Sequence, residues 1–436
     1  MPRTDAPPSV AGTPSTTGPT STRHATLAIL ALALGGFAIG TTEFVTMGLL
    51  PQIASGIGVS EPQAGHVISA YALGVVVGVP ILSFFVAGLP RRTLLIWLMG
   101  AYAVFNVLSA AATGYGLLTL ARFLDGLPHG AYFGVASLVA ASLVAPERRG
   151  RAVASVMLGL SVANVLGVPA VTWLGQHVGW RSAYLSTAVL ALATVVLTLV
   201  FVPATPGDPE ATGRREARAF FSSAQVWLTL AAGAIGFGGM FAVYSYIATT
   251  VTGVAGLSEG TVPVFLLAFG LGMVVGTWAA GELAGWSVFR SLIGAGLGTA
   301  VLMLVFWVAA PHGWLLLPVV FLITTVASVL TINLQLRLMD VAGDAVTLGA
   351  AMNHAALNAA NALGAWLGGV VIAAGYGYRA PALVGAGLSV AGVLILLVAA
   401  AGHRAGGSAG DSAADHPEAV PAAPIGHNGA HARHDA

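Results

Sequence analysis

Glu43, Arg122, Asp125 and His129 are ionisable side chains inside stretches that are otherwise apolar. A charge in hydrocarbon is expensive, and those that persist tend to mark ion pathways and proton relays. A carboxylate there can take up and release a proton. An imidazole titrates near neutrality, whereas a guanidinium stays charged throughout. Glu43 is the one acid in FAIGTTEFVTMGLLP, residues 37–51. Arg122 and Asp125 are three residues apart, so they share a helix face and can pair with each other. His129, four residues further, extends this polar stripe as a proton relay or as a hydrogen-bonded packing residue. Gly126, Gly130 and Gly134 run beside the stripe at intervals of four, a spacing that lets helices approach closely.

A second set is made mainly of amides. Asn353, His354, Asn358 and Asn361 fall in one apolar run, and the last three share a helical face. Amides facing lipid are costly, so this face points into the protein. It either lines a cavity and holds a solute by hydrogen bonds, or ties helices together. Asn164, Tyr244, Tyr246 and Asn333 are further cavity candidates, while Tyr71 and Trp97 read as packing or interface residues. Gly159, Gly167 and Pro169 should loosen or bend their helix, in the service of a conformational change or of ordinary close packing.

Composition narrows the function. Of the 436 residues 57% are hydrophobic and 8% charged, against roughly 25% charged in soluble domains. The chain is therefore solvated mostly by lipid. A net charge of +1 gives no field to recruit nucleic acid. With no cysteine there is no disulfide, thiol chemistry or cysteine metal site. All 17 basic residues are arginine, and without lysine no phosphate-binding G-x-x-x-x-G-K-[ST] loop exists. No cofactor, metal site or nucleophile motif is expected, so the chain reads as a transporter and not an enzyme.

The elements that must position these residues are membrane helices. Apolar runs fall at 26–48, 64–87, 93–112, 117–141, 152–173, 182–202, 224–250, 261–283, 291–310, 314–337, 347–372 and 381–402. Each reaches about 20 residues, enough for one crossing. They are numbered spans 1 to 12. Arg91 and Arg92 after span 2, Arg148, Arg149 and Arg151 after span 4, Arg214, Arg215 and Arg218 after span 6, and Arg290 after span 8 lie on the side of both tails; the other side holds Arg181 and Arg379. The positive-inside rule makes the tails cytoplasmic. The expected organisation is a disordered tail at 1–25, a six-helix half at 26–202, a linker at 203–222, a second half at 223–402 and a disordered tail at 403–436. The halves echo each other: LGVVVG at 73–78 recurs as LGMVVG at 271–276, and ANVLG at 163–167 as ANALG at 360–364. Two parallel six-helix repeats around a central cavity is the architecture of a rocking secondary transporter.

GTTEFVTMGLLPQIA (40–54), LARFLDGLPHGAYFG (120–134) and GLSVANVLGVPAVTWLGQHVGWR (159–181) carry a resemblance to a known family. The chain resembles the major facilitator superfamily over about residues 26–402. Within it, the likeness is to the drug:proton antiporter branch, with its arabinose-efflux-permease-like and chloramphenicol exporters. The second stretch is similar to the family's motif B, an intramembrane arginine on helix 4. The third is similar to motif C on helix 5, which implies an exporter. One departure stands out: VAGLPRRT keeps Gly88, Arg91 and Arg92 but lacks the aspartate usual before the basic cluster.

The family fold implies that helices 1 and 4 meet at the cavity. Glu43 and Arg122 lie at matching depths, so a Glu43–Arg122 pair that weakens when the acid is protonated would couple proton movement to conformation. A static pair and a near-surface solvated acid are the other readings of Glu43. The expectation is a twelve-helix, two-half plasma-membrane protein, monomeric, exchanging protons for a drug- or sugar-like solute. A uniporter or channel-like permease for a small polar solute is the alternative.

Overall fold

The computed structural model describes residues 22–85, 89–204, 218, 220–343 and 345–414. Most of the 203–222 linker lies outside these residues, as do positions 1–21 and 415–436 of the tails. The described chain is helical throughout, as expected where backbone groups in lipid must be satisfied within their own segment. Ten stretches are long and apolar enough to cross a membrane. One of them, Glu259–Ala309, contains two passes, because the helix Val262–Ala309 breaks at Ser287 (φ −171°, ψ 113°). The helix Tyr115–Ser142, span 4, is less apolar because it carries the polar stripe, and it completes twelve passes.

Two ends differ from expectation. The first helix starts at Thr22, and the last runs from Ala380 to Ala414, beyond the boundary at 402. After Pro381 the next proline is Pro417, so nothing in 403–414 obliges the helix to stop. Arg91 and Arg92 sit in the first turn of span 3 (Arg91–Ala111) and not in a loop, with Arg92 donating to the Leu199 carbonyl near the end of span 6.

The sequence echo has a packing counterpart. A Cβ on Gly74 or Gly78 in span 2 (Glu61–Phe85) would lie 2.1 Å from the carbonyls of Phe123 and Leu127 in span 4. A Cβ on Gly272 or Gly276 in span 8 would lie 2.4 and 2.1 Å from the carbonyls of Phe321 and Thr325 in span 10. One offset of 198 residues relates both the glycines and the carbonyls they approach. Arg181 and Arg379 also match, each donating to a carbonyl at the end of the span three back, Ala112 and Trp307.

Side-chain hydrogen bonds join the halves at the arginine-poor end. Gln52, after span 1, donates to the Glu259 carboxylate, and Gln176, at the end of span 5, donates to the Glu259 carbonyl at 3.1 Å. Thr249 donates to Glu61. Deeper in, Ser69 of span 2 donates to the Ala362 carbonyl of span 11 at 3.0 Å. Tyr378 also bonds Glu61; burial, and then this carboxylate, push its phenol up to about 12, so it stays a neutral donor.

Candidate functional site: a buried polar cluster beside the half-to-half junction

Spans 1, 2, 3 and 4 enclose a closed polar cluster. Arg122, fully buried, donates from Nη1 to Asp125 Oδ2 at 2.5 Å and from Nη2 to the Thr42 carbonyl at 3.3 Å. Asp125 takes Asn106 Nδ2 on its other oxygen at 2.7 Å, and Asn106 Oδ1 accepts from Thr42 Oγ1 at 2.7 Å. The guanidinium lies over the Tyr71 ring, 4.2 Å from its centroid, a favourable desolvated cation–π geometry. Tyr71 Oη is 3.1 Å from Tyr102 Oη and 2.9 Å from His129 Nδ1. A buried ion is tolerated only with its counter-charge and hydrogen bonds in place, and this cluster supplies both.

Glu43 does not join it as an ion pair. Among the described residues the salt bridges are Arg122–Asp125 and Arg337–Asp340, so the expected Glu43–Arg122 pair is replaced by the neighbour three residues along the same helix. The i,i+3 partner is positioned by one backbone, whereas Glu43 would have to be brought in from another span. Glu43 is nevertheless 7% exposed, which removes the reading of a solvated near-surface acid. Its two neighbours face different partners. Thr42 bonds Asn106 and Arg122, while the Phe44 ring reaches across the halves to Phe241, Tyr244 and Phe269, with centroids 6.4, 6.0 and 5.9 Å away. Glu43 thus stands between the polar cluster of one half and an aromatic junction with the other.

His129 also leads across. Its ring is 5.4 Å from Phe133, which stacks at 5.6 Å and 3° on His354 of span 11 (Val346–Val371). The amides behave alike. Asn164, Asn333 and Asn358 each donate Nδ2 to the carbonyl four residues back, Leu160, Val329 and His354, at 3.0, 2.9 and 3.0 Å. Their Oδ1 atoms are buried and without a hydrogen-bond partner, as are Asn353 Oδ1, both polar atoms of Asn361 and the Tyr244 hydroxyl. Tyr246 departs from the cavity set, because its hydroxyl is bound to the Ala365 carbonyl at 2.9 Å within its own half.

Span 5 is interrupted at the motif C-like stretch. Ala163–Gly167 forms a π-helical turn between Arg149–Val162 and Val168–Val178, with Pro169 in the first turn of the latter. A Cβ on Gly159 would lie 2.0 Å from the Ala33 carbonyl, and one on Gly167 2.4 Å from Thr41 Oγ1, so both glycines let span 5 press against span 1. Gly126 and Gly130 pack closely as expected, but Gly134 meets nothing within 4 Å and belongs to no seam.

Several members were not legible beforehand. Tyr71, which reads in the sequence as a packing or interface residue, bridges His129 and Tyr102, whereas Trp97 is 71% exposed, as suits an interface residue. Asn106, Tyr102 and Thr42 are isolated polar residues in apolar runs, and Phe44, Phe241 and Phe269 look like any apolar residue until the halves are docked.

Residues 32–353 match the family model described as Major Facilitator Superfamily. The chain is 42% identical over 372 residues to the inner membrane transport protein YdhP of Escherichia coli K12, covering 85% of this chain and 94% of that protein. It is 32% identical over 377 residues to a chloramphenicol resistance protein of Streptomyces lividans, covering 85% and 95%. The crystal structure of a D-xylose–proton symporter shares the fold, with a TM-score of 0.67 at 16% identity, covering 86% of this chain and 97% of that one. Twelve membrane passes and these likenesses agree: the chain belongs to the Major Facilitator Superfamily and is a multi-pass membrane transporter.

Proposed function

We propose that the protein is a proton-coupled exporter of small organic molecules, working by alternating access as a monomer in the cell membrane with both tails in the cytoplasm. The observation that carries this reading is the position of Glu43. It is a buried acid without a salt bridge, between Thr42, which is tied to the Arg122–Asp125–Asn106 cluster, and Phe44, which packs against the opposite half. Gaining or losing a proton there changes the cost of burying the carboxylate, and so changes how firmly the two halves can close on it. Asp125 is a poorer proton carrier, since both its oxygens are engaged by Arg122 and Asn106. Arg122 keeps Nε unpaired, a donor to which ionised Glu43 can turn as the halves move. His129, linked through Tyr71 to the cluster and through Phe133 to His354, carries movement from one half to the other.

The direction of transport draws support from the relative named for chloramphenicol resistance, and the proton from the fold neighbour named as a proton symporter. The test is efflux from cells stripped of their own exporters and loaded with a compound panel that includes chloramphenicol. Collapse of the proton gradient by a protonophore should raise cellular accumulation of a transported compound. Unchanged accumulation contradicts proton-driven export and supports a uniporter.

A further inference from the structure

A lipid stays on a protein surface when buried apolar area and electrostatic attraction to its headgroup act together. The arginine-poor end of the second half offers both. A groove of about 550 Å³ runs along span 9, lined by Val301, Leu304, Val305 and Val308, and it ends at His312 and Leu315. The span 9 residues recur at intervals that form one stripe along the helix. From Val301 to Ala309 the groove covers about 12 Å, at about 1.5 Å per residue. One leaflet offers roughly 15 Å of hydrocarbon, so the groove matches the reach of an acyl chain. His312 is the polar residue among those that line it, and its Nδ1 donates to the Val308 carbonyl at 3.0 Å.

A cation is fixed beside the same end of the groove. Arg379 donates from Nε and Nη2 to the Trp307 carbonyl at 2.9 and 2.7 Å, and its guanidinium lies over the Trp307 ring, 4.3 Å from the centroid. Trp307 immediately precedes Val308 of the groove. Trp314, which precedes Leu315, stacks on Phe265 of span 8 at 6.0 Å and 19°. Tryptophans gather at the membrane–water boundary, so these two mark the level of the headgroups. The contacts to Trp307 hold the guanidinium in place and leave Nη1 for a ligand. Among the described residues no acid neutralises it, since the ion pairs there are Arg122–Asp125 and Arg337–Asp340. An anchored guanidinium binds phosphate oxygens by charge-assisted hydrogen bonds.

We propose that the second half holds an anionic phospholipid at its arginine-poor end, with an acyl chain in the span 9 groove and the headgroup phosphate on Arg379. The site faces the bilayer, away from the junction of the halves, and stands whatever the direction or coupling of transport.

The test is native mass spectrometry of the purified, delipidated full-length protein in detergent. The probes are phosphatidylglycerol and phosphatidylcholine with the same acyl chains, and glycerophosphoglycerol, which has the headgroup without chains. Phosphatidylglycerol should bind about tenfold more tightly than phosphatidylcholine, as one charge-assisted interaction provides, and the chain-free headgroup should not bind. Arg379→Gln should abolish the preference for phosphatidylglycerol. Arg181→Gln should keep it, although Arg181 is the matching arginine of the first half, 4.3 Å over the Trp180 ring. Val305→Trp, which fills the groove, should weaken both lipids. Melting curves without lipid show whether each variant has folded, and the wild-type series stands independently of them. Equal binding of the two lipids, or binding of the chain-free headgroup as tight as that of phosphatidylglycerol, overturns the proposal. So does an unchanged preference in folded Arg379→Gln, an equal loss in Arg181→Gln, or unchanged lipid binding in folded Val305→Trp.

Discussion

Asp125 and Arg122 form a 2.5 Å ion pair with almost no exposure on either side chain, inside a helix that crosses the membrane. Asn106 occupies the second carboxylate oxygen at 2.7 Å. The pair is therefore a fixed electrostatic unit from which spans 1, 2 and 3 are hung, through Thr42, Tyr71 and Asn106.

Removing one partner should cost far more than removing both. Asp125→Leu strands a buried guanidinium, for which the expected loss is about 3–5 kcal/mol. The double change Arg122→Leu with Asp125→Leu should recover at least half of that loss. Denaturant unfolding of the purified variants in detergent, arranged as a double-mutant cycle, measures the coupling directly. Simple additivity would show that the two charges do not support each other.

Glycines on one helix should differ sharply in tolerance. A Cβ on Gly126 would lie 2.1 Å from the Tyr71 carbonyl oxygen, so Gly126→Ala must push spans 2 and 4 apart beside His129. Overpacking of this kind costs about 1–3 kcal/mol, whereas Gly134→Ala should be neutral or slightly stabilising. Melting temperatures of the two variants, which carry the same chemical change, decide it.

The arginine-poor end should open when its hydrogen bonds are cut. Gln52, Gln176 and Thr249 hold Glu259 and Glu61 across the halves without a single opposite charge. Because the chain has no native cysteine, Ala248→Cys, buried at this junction, gives a clean labelling probe. A bond worth about 0.5–1.5 kcal/mol corresponds to roughly a two- to tenfold gain in maleimide labelling when Thr249→Val or Glu259→Ala is added. Unchanged labelling would mean that apolar packing alone closes this end.

The architecture was legible because lipid imposes a coarse requirement: long apolar runs, interrupted by arginines on one side. The break between spans 8 and 9 took an unexpected form, since Ser287 bends one helix where a loop was anticipated. Within the site, the Arg122–Asp125 spacing announced a pair, because three residues on a helix fix proximity. Glu43 and Arg122 match in depth along the membrane normal, but depth says nothing of the rotation of span 1, which decides whether the carboxylate faces the guanidinium. Asn106 was missed because a single amide has no period to betray its direction. Phe44 was missed because its meaning lies in the other half, some 200 residues away in the chain.

Glu43→Gln tests the central claim most directly. Reconstituted in proteoliposomes with an imposed proton gradient, the variant should lose uphill movement of a transported compound while still exchanging it at equal concentrations across the membrane. Uphill transport at the wild-type rate by the glutamine variant would contradict the account and would move proton coupling to another group.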